Sequence, residues 1–484
     1  MQNLFIASAL TTIVLLFVPL AGCGKSKAKS SSIKSSDSIK SSEGALPDDP
    51  SCNYYASPSG GGNGLSRSSP FQISDFWSQA SPGTMLCLVE GIYTGEDSMI
   101  DASGATGGQS VQGTSGSPIT IKALSEGKTL IDGEGVRTPI LIRNNDWFVV
   151  QGVNARNGNN NPNDSGSVVQ INSDNVIVRR VVAWDAGDTN EAIVGVHGSQ
   201  DVLLEDVAAF GIGRKVFESS QEGNGTTCRR CWGRWEGSHF IGPKDTFTLT
   251  YNNYDMTIEN AIGAWSGEKM LETYTLKCTT GDTAPLCGQV FTNFDVDQPA
   301  GIFSQDRNDD PSRQDARSQI LGSIAYLESG DRFPADALIV LGTSSVSSIG
   351  LFNTVAFIEP GVQSTTNLIL NTFQLNNGPG LNFATGLTSV GGDGMTISSL
   401  PWQTSQIDQG QTVAGVGSIF TGASGANVCK RYKDRVLTNE PLWPWPMDQR
   451  IYDAMEQAGR TPFYVTQKIE SMFGPIPSAC KSAN

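Results

Sequence analysis
A chain of 484 residues, 38% of them hydrophobic, is long enough to bury a large core, and a formal charge of −15 argues against nucleic acid as a partner. Only 17% of the residues are charged and 54 are glycine, which suits β-structure with many tight turns better than a charged helical bundle. Nine cysteines, eight once Cys23 is set aside, read in an exported chain as a disulfide framework.

Residues 1–22 carry an apolar stretch, Leu10 to Leu20, too short and too abruptly ended to span a bilayer. It closes with Leu20-Ala-Gly-Cys23, which resembles the lipobox of a bacterial lipoprotein signal peptide. The resemblance implies cleavage before Cys23 and acylation of that residue, so that a lipid anchor holds the protein to the membrane. Gly24 stands where an Asp would be a retention signal, which resembles lipoproteins sent on to the outer membrane, facing periplasm or medium. No Lys or Arg precedes the apolar stretch, a departure from the usual signal-peptide start. Residues 23–51 are rich in Ser and Lys and hold hardly an apolar side chain, so they are expected to be a disordered tether. The body that follows, 52–484, has 28 basic against 44 acidic residues, a charge of −16 that repels a polyanion unless something offsets it.

The body opens with Asn53-Tyr-Tyr-Ala-Ser-Pro-Ser-Gly60, Ser69-Pro-Phe-Gln-Ile-Ser-Asp-Phe-Trp77 and Ser81-Pro-Gly-Thr-Met-Leu-Cys-Leu-Val-Glu-Gly-Ile-Tyr93, a strand, a Gly/Ser loop, a short helix and a first coil. Ser117-Pro-Ile-Thr-Ile-Lys-Ala123 and Thr129-Leu-Ile-Asp-Gly133 look like the next coil. Five stretches then overlay without gaps: Phe148-Val-Val-Gln-Gly-Val153, Val176-Ile-Val-Arg-Arg-Val181, Val202-Leu-Leu-Glu-Asp-Val207, Thr226-Thr-Cys-Arg-Arg-Cys231 and Met256-Thr-Ile-Glu-Asn-Ala261. Their last positions are 28, 26, 24 and 30 residues apart, a period that marks a solenoid of stacked β-coils. The overlay makes a column Gln151, Arg179, Glu205, Arg229, Glu259 whose charge alternates from Arg179 on, read as a solvated salt-bridge ladder. A second column is Gly152, Arg180, Asp206, Arg230, Asn260, and an aromatic set, Trp184, Phe210, Trp235 and Trp265, follows the strands as packing or as a sugar platform.

These motifs resemble the pectate-lyase-like β-helices, among them the chondroitinase B-like alginate lyases, over residues 53–270. The fold class expected is therefore all-β: a right-handed parallel β-helix over 52–438 with an N-terminal cap helix. The resemblance implies action on a polysaccharide, and in its lyases removal of the proton α to a uronate carboxylate, which needs a base and a cation to neutralise that carboxylate. The densest candidate cluster is Arg214, Lys215, Glu218, Arg234, Glu236, His239 and Lys244. Both halves of it follow a coil strand and are expected on one face, about 5–10 Å apart. Lys215 is the expected base, Arg214 or Arg234 the carboxylate clamp and His239 a proton shuttle, with an ordinary salt-bridged surface as the alternative. Glu218 and Glu236 also make a candidate carboxylate pair for hydrolysis. Asp185, Asp188 and Glu191 are candidate Ca²⁺ ligands, and such a cation would answer the repulsion between an acidic body and a polyanion. Asp306, Asp309 and Asp310 read as a solvated acidic loop. The Asn/Glu/Glu constellation of the alginate-lyase relatives is not found here, so a non-catalytic glycan-binding or adhesin-like surface protein stays open beside the enzyme.

Short loops favour the pairs Cys52–Cys87, Cys228–Cys231, Cys278–Cys287 and Cys429–Cys480, with a redox motif or half a zinc site as the other readings of Cys228-Arg-Arg-Cys231. Residues 439–484 change character. Asn439-Glu-Pro-Leu-Trp-Pro-Trp-Pro446 is too rich in Pro for a strand, while Asp448 to Ala458 and Tyr464 to Phe473 have helical periodicity, split by Gly459 and Pro462. A Pro/Trp collar and two short helices are expected to cover the open edge of the last coil.

Overall fold
The computed structural model describes residues 48–102, 110–159, 166–186, 192–236, 245–249, 253–266, 273–275, 290–292, 303–305, 317–328, 337–341, 348–352, 354–358, 367–371, 419–420 and 428–482. Cys23, the signal peptide and the tether up to residue 47 lie outside them, as do Asp188, Glu191, His239, Lys244, Cys278, Cys287 and the acidic loop at 306–310. The last residues of the expected tether are held to the body, with Asp49 paired to Lys122 at 2.9 Å.

Short runs of β-branched and aromatic residues cannot bury both faces alone, so each coil stacks its strands on those of the next. The result is a parallel β-helix in which a coil gives one strand to each of three ladders. In the first ladder Val149 stands beside Ile177, Ile177 beside Leu203, Leu203 beside Thr227 and Thr227 beside Thr257. The gapless overlay of the sequence is thus the physical register. Gly152, Arg180, Asp206, Arg230, Asn260 and Gly322 all have φ between 49° and 79°, so the second column of the overlay is a left-handed bend between the first and second ladders. Glycine and Asn take that conformation readily, whereas Arg180 and Arg230 are held in it by ion pairs. Arg180 reaches Glu126 at 2.6 Å, and Arg230 reaches Asp206 at 2.6 Å and Glu205 at 3.1 Å.

The charge column is a ladder, but its Arg229–Glu259 end is not solvated. Arg229 is 4% exposed and Glu259 is fully buried. Arg229 meets Glu205 at 3.3 Å, Glu259 at 2.5 Å and Asp434 at 2.5 Å. In the next coil Leu321 follows Glu259 in register, so stacking supplies no further cation. A C-terminal hairpin, Lys430–Lys433 paired with Val436–Pro441, lies over the column instead. The backbone N–H groups of Asp434 and Arg435 donate to Glu259 at 3.2 and 3.0 Å, and that of Tyr432 donates to Asn260. The hairpin strand runs into the Pro-rich stretch as far as Pro441, which is tolerated because its pairing stops there.

The short helix α1, Ile73–Phe76, caps the N-terminal end with Ile73 and Phe76 buried. Two C-terminal helices, α2 (Asp448–Gln457) and α3 (Val465–Phe473), do not plug the last coil but run along the flank of the second ladder. That ladder turns an apolar column outward, Val182, Ala208, Trp232, Ile262 and Ile324 in register, and a second one with Trp184 and Phe210. Covering it is worth about 1.5–3 kcal/mol for each large side chain, which is the physical reason for the helices' position. Phe463 packs edge-on against Trp232, and the Arg460 guanidinium lies over Phe210. Arg450 donates to the carbonyl oxygens of Arg180 at 2.5 Å and Val153 at 3.1 Å, at the left-handed bends. The aromatic set divides: Trp184 stacks on Phe210 at 5.8 Å, while Trp235 stacks on Trp265 at 4.2 Å one register position further on. All four are buried, so packing is their role.

Disulfides join Cys52–Cys87, Cys228–Cys231 and Cys429–Cys480; Cys278–Cys287 lies outside the described residues. Cys228 and Cys231 straddle the Arg230 bend, are 6% and 0% exposed, and belong to the core, which fits a staple and not an accessible thiol pair. Removing one partner of a buried ion pair leaves the others uncompensated. Arg229→Ala should therefore lower unfolding free energy by about 3–5 kcal/mol in urea titrations. A loss under about 1 kcal/mol would mean that the hairpin does not cover the ladder.

Candidate functional site
The third ladder is built from Ile140–Arg143, Val169–Asn172, Ala192–His197, Lys215–Ser220 and Asp245–Leu249, followed by Phe303–Gln305. Its inward column, Ile140, Val169, Val194, Phe217, Phe247 and Phe303, is in register throughout. The three phenylalanine rings stack at 4.7 and 5.0 Å. Strand periodicity then sends the next residue of each strand outward. These are Gln170, Gly195, Glu218 and Thr248, with Asn172, His197 and Ser220 two positions on. Leu141 stands in register before Gln170, but from Gln170 on, Gly195 excepted, the outward set is polar and mostly buried: His197 is 7%, Glu218 8% and Ser220 2% exposed.

Its contacts tie three coils together. Lys215, 2% exposed, donates to Glu218 at 2.5 Å, and Asp245 stands beside Lys215 in the next coil. Nδ1 of His197 lies 2.6 Å from Oγ of Ser220. Gln170 donates to Asn172 at 2.8 Å, and Asn172 donates to the His197 carbonyl at 3.3 Å. A Cβ at position 195 would sit 2.5 Å from Nε2 of His197, so the imidazole can lie back over that strand only because residue 195 is glycine. Among the described residues, two buried polar atoms here have no hydrogen-bond partner, Nε2 of His197 and Oε1 of Gln170. Unpaired polar atoms in a buried cluster cost about 1–3 kcal/mol each.

Burial pulls the His197 imidazole below its ordinary pKa, and Lys215 adds to this while Glu218 opposes it. Burial pushes the Glu218 carboxyl up, but Lys215, His197 and Arg214 outweigh it and hold the group ionised below the usual carboxylate range. At neutral pH the cluster therefore combines a neutral imidazole with a fixed carboxylate and two cationic side chains.

Of the residues expected from sequence, Arg214 and Lys215 belong to this cluster. Arg234 does not. It sits in the second ladder, paired with Glu236 at 2.6 Å and Glu328 at 3.8 Å beneath the Phe463 ring. The expected single face fails because Lys215 opens a third-ladder strand whereas Arg234 lies four residues after the Arg230 bend, before its coil has turned. Glu236 is held by Arg234 and by Arg460, at 2.9 Å, so it forms no carboxylate pair with Glu218. Asp185 is not free to bind a cation either: Arg460 reaches its two oxygens at 2.5 and 2.9 Å, and the Ile212 N–H donates to it at 3.1 Å. Among the described residues no group of three or more His, Cys, Asp or Glu could hold a metal ion. Lys215 is not an exposed base, because the pair with Glu218 buries it. His197, Gly195, Gln170, Asn172 and Ser220 escape the sequence reading; one of only two histidines, closing an apolar strand, was the available signal.

No protein-family model and no curated protein matches this chain. Among solved structures, the pectate lyase Pel9A aligns over 66% of this chain and 76% of its own, at 14% identity and a TM-score of 0.40. The Escherichia coli protein YbhC aligns over 64% and 86%, at 9% identity and a TM-score of 0.34. An alginate lyase from Paenibacillus sp. aligns over 61% and 87%, at 10% identity and a TM-score of 0.29. At TM-scores of this size the likeness adds nothing to the coil topology described above, and no residue role passes from those proteins to this chain.

A pH dependence follows from the buried imidazole. Below about pH 6.5 the unfolded chain takes up a proton at His197 that the folded protein refuses. The contribution is complete above that pH and is lost as pH falls towards the lowered folded value, so stability should rise with pH through this window. His197→Gln should flatten that part of the stability–pH curve measured by thermal melts. An unchanged slope would place the imidazole in water.

Proposed function
We propose that this protein is a lipid-anchored, polysaccharide-acting enzyme of the bacterial cell envelope, whose third-ladder outer face eliminates at the uronates of an acidic glycan. The observation that carries the proposal is the free Nε2 of His197 beside the Lys215–Glu218 pair. A neutral imidazole with a bare nitrogen is a base suited to neutral pH, and it takes the role that the sequence had suggested for Lys215. Lys215 and Arg214 are the cations that would face the substrate carboxylate and so acidify the neighbouring C–H. His197 takes that proton, the electron pair forms the C4–C5 double bond, and the bond from C4 to the glycosidic oxygen breaks. The departing oxygen gains a proton from water or from the Lys215 ammonium. Glu218 fixes the ammonium in place. Calcium at Asp188 and Glu191 belongs to the proposal only as an additive to vary, since Asp185 is already occupied by Arg460.

Unsaturated uronate products absorb in the ultraviolet, and a panel of uronate-containing polysaccharides with and without Ca²⁺ reads them directly. Cleavage of at least one is expected, with His197→Ala lowering the rate by about 100-fold or more and Arg234→Ala leaving it in place. Cleavage of none would hand the face to a binding protein without catalysis. Cys23→Ala should release the protein from membranes, and unchanged membrane fractionation would reject the anchor.

A further inference from the structure
We infer that Ser220 and Gly195 are positioning residues that seat His197 with its proton on Nδ1 and its lone pair on Nε2, an inference that rests on the proposed role of His197 as base. The His197–Ser220 contact allows two arrangements: the imidazole donates to the hydroxyl, or the hydroxyl donates to the imidazole. They differ in what they leave behind. If the hydroxyl donates, Nε2 must carry the ring's one hydrogen, and a buried N–H would point where no described residue offers an acceptor. If Nδ1 donates, its hydrogen is satisfied by Ser220, and the freed hydroxyl hydrogen can rotate towards another acceptor, as a ring N–H cannot. The second arrangement strands no N–H.

Gly195 completes the seat from the other side. Its neighbours in register are Gln170 and Glu218, so it lies at the centre of the polar column, where a side chain would ordinarily project outward. The imidazole occupies that space, with Nε2 at 2.5 Å from the place of a Cβ. The Gly195 backbone is not left-handed, so the need for glycine is one of room and not of backbone conformation. The ring is thus bonded at one nitrogen and held at the other against the strand at Gly195. The charged groups bearing on it are Glu218 and Lys215, one of each sign.

The experiment is nitrogen-15 NMR of histidine-labelled full-length protein, with His197→Gln to assign the signals of the two histidines. Wild type should show His197 protonated at Nδ1 and bare at Nε2. Ser220→Ala should lose that preference and lower kcat by about 10–100-fold while KM stays within about twofold. Ser220→Thr, which keeps a hydroxyl, should restore both, and Gly195→Ala should shift the ring signals and lower kcat even with Ser220 intact. A wild-type imidazole protonated at Nε2, or a Ser220→Ala spectrum identical to wild type, would overturn the inference. If wild type cleaves no polysaccharide, the spectra still decide the seating of the ring, and the failure falls on the proposed function alone.

Discussion

Everything in this molecule depends on register between stacked parallel strands. Neighbouring strands are about 4.8 Å apart and side chains alternate faces, so one residue of slip would exchange the core for the surface in every coil. The phenylalanine stack at 217, 247 and 303 pins the third ladder against such slip, because only in this register do the rings meet. The same constraint that buries those rings lines up Gln170, Gly195 and Glu218 on the other face. The candidate site is in that sense a by-product of core packing: the fold places one residue per coil in a row, and chemistry depends on which residue stands there.

Two kinds of buried charge occur, and their energetics differ. Around Arg229 the charge is shared among Glu205, Glu259 and Asp434, and Glu259 is closed by backbone N–H groups. Such a network holds the C-terminal hairpin to the solenoid. The Lys215–Glu218 pair is local and sits beside an imidazole with an orphaned nitrogen. A buried ion pair repays little of its desolvation, and apolar residues of similar size would serve stability as well or better. Polar residues held at that expense beside the imidazole are what the proposed proton transfer would draw on.

The first ladder was legible in the sequence because its strands repeat the same pattern at nearly constant spacing, down to the residue-by-residue register. Extending that overlay would also have divided the aromatic set, since Trp184 and Phe210 fall one column before Trp235 and Trp265. The third ladder was not legible in this way. Its strands begin 11, 8 and 14 residues after Val181, Val207 and Cys231, so no fixed offset brings His197, Lys215 and Asp245 into line. Grouping Arg214 and Lys215 with Arg234 mistook distance along the chain for position around the coil. The flanking course of α2 and α3 was hidden for another reason: Arg450 finds its acceptor 270 residues earlier, a pairing that no local pattern announces.

The most direct test of the central claim is a crystal structure of the His197→Gln protein with a bound uronate oligosaccharide. The expected result is a sugar on the outer face of the third ladder, its carboxylate against Lys215 and Arg214 and its α-carbon turned towards residue 197. A sugar bound along another ladder, with the Lys215–Glu218 pair undisturbed and remote from it, would contradict the claim.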